Sequence, residues 1–178
     1  MSERARGIPP KSYSLFNTSL GWCGVVDSPK GVLRIVIGYP KRKQLLTQLF
    51  VGLGDSIKND HVPGDLVDTI KRYFCGERVF FNCVMDWSSL SPFQQKVFKE
   101  ARKVPYGTVE TYGNLARRVG SPNGSRAVGG ALARNPFPLV VPCHRIVRGD
   151  GQLGGFSAGE GIALKRKLLR LEKIRGYW

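Results

Sequence analysis

The chain has 178 residues, 42% hydrophobic and 23% charged. That balance excludes disorder, collagen and coiled coil as global descriptions, and the length suits one large domain or two small ones. The net charge is +15, of which +11 falls in residues 87–178; a field of that sign favours nucleic acid as partner, with an anionic membrane or a plain solubility surface as alternatives.

No apolar run nears the roughly 20 residues of a membrane span. Met1–Arg6 carries charges with no apolar core behind them, so a cytoplasmic chain without a signal peptide is expected. Gly21–Val26 and Val32–Ile37 are β-branched runs flanking Asp27-Ser28-Pro29-Lys30-Gly31, which predicts a hairpin. After Pro40, Leu45, Leu46, Leu49 and Phe50 mark a first helix. Leu66, Ile70, Tyr73 and Phe74 keep helical spacing up to Gly76 and mark a second, and Arg78–Val84 reads as a strand. Residues 1–86 are therefore expected to form a small sheet with helices, and nothing in them reads as a catalytic cluster. Cys23, Cys75, Cys83 and Cys143 are too few for a secreted disulfide scaffold and lack C-x-x-C spacing. A Cys75–Cys83 bridge is open, though a reducing cytosol opposes it. Cys23, His61, Cys75 and Cys83 are scattered, so no metal site is expected.

Asp86–Leu90 is a connector. Ser91-Pro92 supplies an N-cap and a proline at the first helical position, opening a helix to about Lys103. Pro105-Tyr106-Gly107 is a turn. Tyr112, Leu115, Ala116 and Val119 then follow helical spacing to Gly120, and Ser121–Gly124 leads into a helix over Ser125–Arg134. Two short helices joined by about four residues form a helix-turn-helix pattern. One face of the second helix, Arg126, Gly129, Gly130 and Ala133, has almost no side chains. Each glycine costs a helix about 1 kcal/mol, so the pair serves either close packing of another helix or close approach of DNA to the backbone.

Asn135-Pro136-Phe137-Pro138 prevents a helix, and Leu139-Val140-Val141 reads as a short buried strand delivering Cys143. Cys143 beside His144 and Arg145 suits a thiolate nucleophile, since positive charge or a base lowers a thiol pKa; a buried structural cysteine is the alternative. In a regular strand His144 would point away from Cys143, so the nucleophile reading needs a bend after Pro142 or a bridging water. Gly151–Gly161, with Phe156 and Ser157, is either a loop closing a pocket or plain surface. A last helix from Ile162 turns Leu164, Leu168, Leu169 and Leu171 inward and Lys165, Arg166, Lys167, Arg170 and Lys173 mostly outward; Glu172, its only acid, is either solvated or orients His144.

Pro142-Cys143-His144-Arg145-Ile146-Val147, preceded by Arg126-Ala127-Val128-Gly129-Gly130-Ala131 and Asn135-Pro136, closely resembles the O6-alkylguanine–DNA alkyltransferases. The similarity runs from about Phe93 to Glu172 and includes Pro105-Tyr106-Gly107 and Thr111-Tyr112-Gly113. Tyr73-Phe74-Cys75-Gly76-Glu77 looks like the end of that family's N-terminal domain, and the first ~65 residues carry no matching motif. The resemblance implies an α+β fold in two domains. Residues 1–86 would be a ribonuclease H-like scaffold of small sheet and helices. Residues 87–178 would be mainly helical, with the helix-turn-helix and a short strand carrying the cysteine.

It further implies irreversible, single-use transfer of an alkyl group from O6-alkylguanine, and from O4-alkylthymine, in double-stranded DNA. The partner would be that DNA, the protein a monomer able to pack cooperatively on it, with no cofactor and no membrane. Cys143 would be the nucleophile, His144 its base through a water, Glu172 the group that polarises His144, and Asn135 the residue holding the turn. Tyr112 would press the base out of the helix and donate to the departing guanine, and Arg126 would fill the gap. Ser121, Gly129, Gly130 and Ala133 would lie against DNA. The carbonyls of Cys143 and Ile146 would accept the guanine amine, with Pro138, Phe156 and Ser157 lining the pocket. Phe156 stands where many members have tyrosine, which removes one hydroxyl from the wall. A helix-turn-helix damage sensor without chemistry and a cysteine hydrolase are the competing readings; the retained thiol opposes the first and the basic second half the other.

Overall fold

The hairpin closes around Pro29-Lys30, between β2 (Gly21–Ser28) and β3 (Gly31–Tyr39), in a computed structural model that describes residues 11–53, 57–58 and 65–177. β1 (Lys11–Thr18), which no β-branched run marks in the sequence, pairs antiparallel with β2, and β4 (Ile57–Lys58) adds in parallel to β1. The order is β3-β2-β1-β4. Side chains alternate between the two faces of the sheet. Val26 joins Leu49 and Leu53 under α1 (Arg42–Leu49), while Cys23 and Val25 face the main core. Val32 and Ile35 share that core face although three residues apart, because the β2–β3 register slips between Asp27↔Val32 and Val26↔Arg34.

The main core is continuous across residues 86 and 87. Ile70, Tyr73 and Phe74 of α2 (Leu66–Phe74) belong to the same cluster as Val97, Phe98 and Ala101 of α3 (Pro92–Ala101). Leu115 and Ala116 of α4 (Tyr112–Arg118), Val128, Ala131 and Leu132 of α5 (Ser125–Ala133), and Leu164 and Leu168 of α6 (Ile162–Leu171) complete it. A backbone bond from Ile35 N–H to the Pro136 carbonyl, 2.8 Å, ties the sheet to the segment leading to Cys143. The result is a mixed α/β fold of a small, mainly antiparallel sheet and helices.

α3 starts as its sequence requires. Ser91 Oγ accepts from Gln94 N–H, Gln94 Oε1 accepts from Ser91 N–H, and Pro92 fills the first position, where no N–H is needed. α4 and α5 are joined by a turn in which Gly124 N–H donates to the Ser121 carbonyl at 2.7 Å.

Two expected strands are absent. Arg78–Val84 forms no ladder; only Met85 bridges Val32 at the sheet edge, and Phe80 and Val84 point to solvent (86% and 73% exposed). The segment meets β3 only at its end, where Val32 N–H donates to the Val84 carbonyl (2.9 Å) and Asp86 N–H to the Val32 carbonyl (2.8 Å). The strand expected to carry the cysteine is instead a proline-fixed loop. Pro136, Pro138 and Pro142 lack the N–H donors a ladder needs. Val141 N–H closes a turn onto the Phe137 carbonyl at 2.8 Å, and Leu139 takes a left-handed φ of +74° within the core. No helix among the described residues is long and apolar enough to cross a membrane.

Candidate active site

Cys143 opens a 3₁₀ turn over Cys143–Arg145, and β6 (Ile146–Val147) follows at once. Successive residues in such a turn are about a third of a circle apart, which supplies the bend that a strand would have denied His144. β6 pairs in parallel with β5 (Glu110–Thr111), Ile146 opposite Glu110 and Val147 opposite Thr111. Since α4 begins at the next residue, capped by Thr111 Oγ1 accepting from Asn114 N–H, this pairing delivers Tyr112 to the cysteine turn.

Asn135 holds the loop from inside. Its Nδ2 donates to the Val141 carbonyl (3.0 Å) and to Cys143 Sγ (3.2 Å), while Oδ1 accepts from Phe137 N–H (2.9 Å). Burial pushes the Cys143 thiol pKa up, opposed by the Asn135 bond and the charge of Lys165. Cys143 as a whole is buried, 9% exposed.

Behind it lies a buried charge network. His144 Nε2 is 2.8 Å from Glu172 Oε1, and both side chains are inaccessible to solvent. Arg145 donates through Nε to Glu172 Oε2 (2.9 Å), through Nη2 to Oε1 (2.9 Å), and through Nη1 to the Val104 carbonyl (2.8 Å). Gly107 N–H donates to Oε2 at 3.1 Å. Burial alone would raise the Glu172 pKa, but hydrogen bonds and charge from His144 and Arg145 outweigh it and hold the carboxyl well below the usual carboxylate range. Burial lowers the His144 pKa, although Glu172 opposes it. A neutral imidazole facing an ionised carboxylate must carry its proton on Nε2. That leaves Nδ1 as the basic nitrogen, and Nδ1 is buried with no hydrogen-bond partner among the described residues.

Glu172 is therefore the orienting carboxylate and not a solvated one. Arg145 is a correction: its guanidinium serves Glu172 and Val104, not the thiol. The cation that acts on Cys143 is Lys165, expected on the outer face of α6 but fully buried, with Nζ donating to the Ile146 carbonyl (2.6 Å) and the Leu153 carbonyl (2.5 Å). Burial lowers its pKa to about 8. Its spacing was a usable signal, because Lys165 sits one turn from Leu168 and Leu169 and two from Glu172. Tyr73, from the half expected to hold no catalytic group, donates to Glu172 Oε1 at 2.7 Å.

A cavity of about 800 Å³ is walled by Tyr112, Arg126, Gly129, Ala133, Phe156 and Ser157. Cys143 does not line it directly; Tyr112 does, with its pKa raised by burial and by the charge of Cys143, and with Lys165 Nζ 5.8 Å from its ring centre. Gly154, at φ +69°, is the floor under that ring: a Cβ there would lie 2.9 Å from Tyr112 Cε2. Ser157 Oγ donates to the Ala133 carbonyl at 2.7 Å, so the glycine-rich loop is fastened across the end of α5. Gly130 lies beside Gly129 on α5, and Ser121 sits in the α4–α5 turn. Pro138 is not brought to this cavity; with Asn135 and Ser157 it lines a neighbouring groove of about 440 Å³. The Cys143 carbonyl accepts from Ile146 N–H and the Ile146 carbonyl from Lys165, which leaves each a second lone pair.

The described residues contain no group of three or more His, Cys, Asp or Glu able to hold a metal, and His61 lies outside them. Cys23, Cys75, Cys83 and Cys143 are unpaired.

Residues 92–174 match the family model described as the DNA-binding domain of 6-O-methylguanine DNA methyltransferase. A methylated-DNA–protein-cysteine methyltransferase of Mycobacterium leprae is 41% identical over 158 residues, 85% of this chain and 92% of that one. The protein of that name from Mycobacterium tuberculosis is 43% identical over 109 residues, 61% of this chain, and the match spans only 64% of its length. Among solved structures, Mycobacterium tuberculosis OGT in complex with DNA superposes with a TM-score of 0.73 at 31% identity, covering 91% of this chain and 92% of that one. The O6-methylguanine-DNA methyltransferase of Pyrococcus kodakaraensis gives 0.70 at 32% identity, with 92% and 99% covered.

Proposed function

The chain belongs to the methylated-DNA–protein-cysteine methyltransferase family, and from that premise we propose that it moves an alkyl group from O6 of guanine in duplex DNA onto Cys143, once per molecule. The observation that carries the reading is a thiol held by Asn135 and backed by the His144–Glu172 pair, beside a cavity walled by Tyr112 and the glycine face of α5. His144 Nδ1 receives the thiol proton through a bridging water, and the imidazolium is stabilised by Glu172. The sulfur attacks the alkyl carbon, the S–C bond forms, and the O–C bond breaks with its electron pair going to guanine. The Tyr112 hydroxyl, kept protonated by its raised pKa, gives the departing base its proton.

The target atom lies inside the duplex, so the base must first be flipped out, which costs a few kcal/mol. Tyr112 presses on the backbone, Arg126 occupies the gap, and Gly129, Gly130 and Ala133 let the strand come close, with Ser121 on a phosphate. The free lone pairs of the Cys143 and Ile146 carbonyls meet the guanine amine, and Phe156 stacks on it while Ser157 closes the side. O4-alkylthymine is the second substrate on this reading. The two-domain description, 1–86 as a ribonuclease H-like scaffold and 87–178 as the DNA-binding and transfer half, is retained as a division of labour, in a monomeric cytoplasmic protein. Three antiparallel strands followed by a parallel fourth support it.

A thioether is chemically stable, and Cys143 is the only cysteine placed at the site, so nothing regenerates the thiol. Incubation with excess duplex containing O6-methylguanine should add one methyl mass, on Cys143, with one base repaired per chain. Multiple turnover, or no mass change at Cys143, overturns the reading.

A further inference from the structure

Glu172 Oε1 receives hydrogen bonds from three side chains, His144 Nε2 (2.8 Å), Arg145 Nη2 (2.9 Å) and Tyr73 Oη (2.7 Å). Two of these come from the cysteine turn. The third arrives from α2, 99 residues away in the chain. Tyr73 is fully enclosed, its ring edge-on to Phe74, Tyr106 and His144 at 5.6, 6.4 and 6.4 Å. A ring needed only to fill that space would do so better as phenylalanine, since a buried hydroxyl must find a partner. The partner it has is the acceptor of the His144 proton, and the Tyr73 oxygen also lies 3.3 Å from His144 Nε2.

We infer that Tyr73 is a positioning residue of the transfer reaction: by donating to Glu172 Oε1 it sets how strongly Glu172 holds the His144 Nε2–H, and so the basicity of Nδ1. The physical reason is sharing. Each donor on a carboxylate oxygen draws off part of its negative charge, leaving less to stabilise the imidazolium. The groups acting on His144 are Glu172, which favours its protonation, Arg145 and Lys165, which oppose it, and Tyr73 and Cys143, neutral at rest; Tyr106 faces Tyr73 and donates to the Leu171 carbonyl. Tyr73 also gives the first half of the chain a place in the chemistry, which its sequence did not announce. The inference rests on the proposed transfer only for the meaning of the His144 proton.

The test is single-turnover alkylation of the full chain by a free benzylated guanine, followed by Cys143 mass across about pH 5 to 9. Y73F removes the donor and should move the acid limb of the rate profile up by about half a pH unit. Site-specific 3-fluorotyrosine at position 73, a stronger donor of nearly the same shape, should move it down. The alkaline limb and the affinity for undamaged duplex should stay put in both. Acid limbs unchanged in both proteins, with only rate or melting temperature lowered, would reduce Tyr73 to packing. If Y73F does not fold, the fluorotyrosine protein decides by the same limb. NMR titration of the His144 ring supplies a readout that needs no turnover. Should the wild-type chain leave Cys143 unmodified, the transfer reading fails by itself, and opposite shifts of the His144 titration in the two proteins still sustain the Tyr73 role.

Discussion

Lys165 is the residue whose burial most changes what the side chain is. A fully enclosed ammonium with two carbonyl acceptors is held close to Cys143 and over Tyr112, where a weakly hydrated charge acts more strongly than it would in water. Burial lowers its pKa to about 8 from an ordinary 10.5. Between those two values the unfolded chain still holds a proton that the folded chain has released, so stability rises with pH across that window. Below pH 8 both states are charged, and the penalty of burying the ammonium is constant. Measured against Lys165→Met by urea unfolding, the wild-type chain should therefore gain about 3 kcal/mol between pH 8 and 10.5. A difference that stays flat over that range would mean that Lys165 is solvated. Asn135 works differently at the same scale. One amide nitrogen serves both a loop carbonyl and the sulfur, so the geometry of the loop and the position of the Cys143 sulfur are set by one side chain.

At the scale of elements, α5 bears on the choice its sequence left open. A Cβ on Gly129 would meet only the Tyr112 ring, at 3.8 Å, and one on Gly130 only the Arg134 guanidinium, at 3.9 Å. Neither contact is tight, so the space over both glycines is open, as the DNA approach proposed above requires. The prediction has two opposite signs. Gly129→Ala and Gly130→Ala should each stabilise the fold by up to about 1 kcal/mol, because the space is free. Both should weaken binding and repair of duplex, while transfer from a free benzylated guanine is spared. Thermal unfolding together with a duplex-binding titration reads both effects. Duplex binding equal to wild type would remove the reason for the glycine face. The glycine-rich loop is likewise no loose surface: Gly154 cradles Tyr112 and Ser157 is bonded to α5, so cavity wall and α5 are one unit.

For the whole molecule the decisive quantity is charge and its placement. The second half carries +11 of the net +15. Lysine and arginine that meet phosphates release condensed counterions, with each contact contributing a slope of about −0.9 to log K against log salt on duplex DNA. Binding to undamaged duplex should therefore weaken by at least tenfold between about 50 and 200 mM salt, and fluorescence anisotropy at several salt concentrations checks it. A flat response would leave the basic half as a solubility surface. Transfer from a free base, which makes no phosphate contacts, should change little over the same range.

The local chemistry was legible along the chain, because each piece depends on neighbours in sequence. The hairpin follows from β-branched runs around Pro29-Lys30, the start of α3 from Ser91-Pro92 and Gln94, and the reactive turn from Pro142-Cys143-His144. β1 was missed because its strand character comes from pairing with β2. Leu139–Val141 was misread because apolar composition suggested a strand that its prolines could not pair. Contacts between distant segments had no local signal: Tyr73 on Glu172 and Ile35 on Pro136 exist only once the sheet and α2 pack against the cysteine loop. Sequence thus named Cys143, His144 and Glu172 as candidates, and left Lys165 on the outer face and Tyr73 unnoticed. Tertiary structure decided their protonation, since burial and the donors around Glu172, His144 and Lys165 are products of folding, and a pKa follows from what surrounds a group and not from its identity alone.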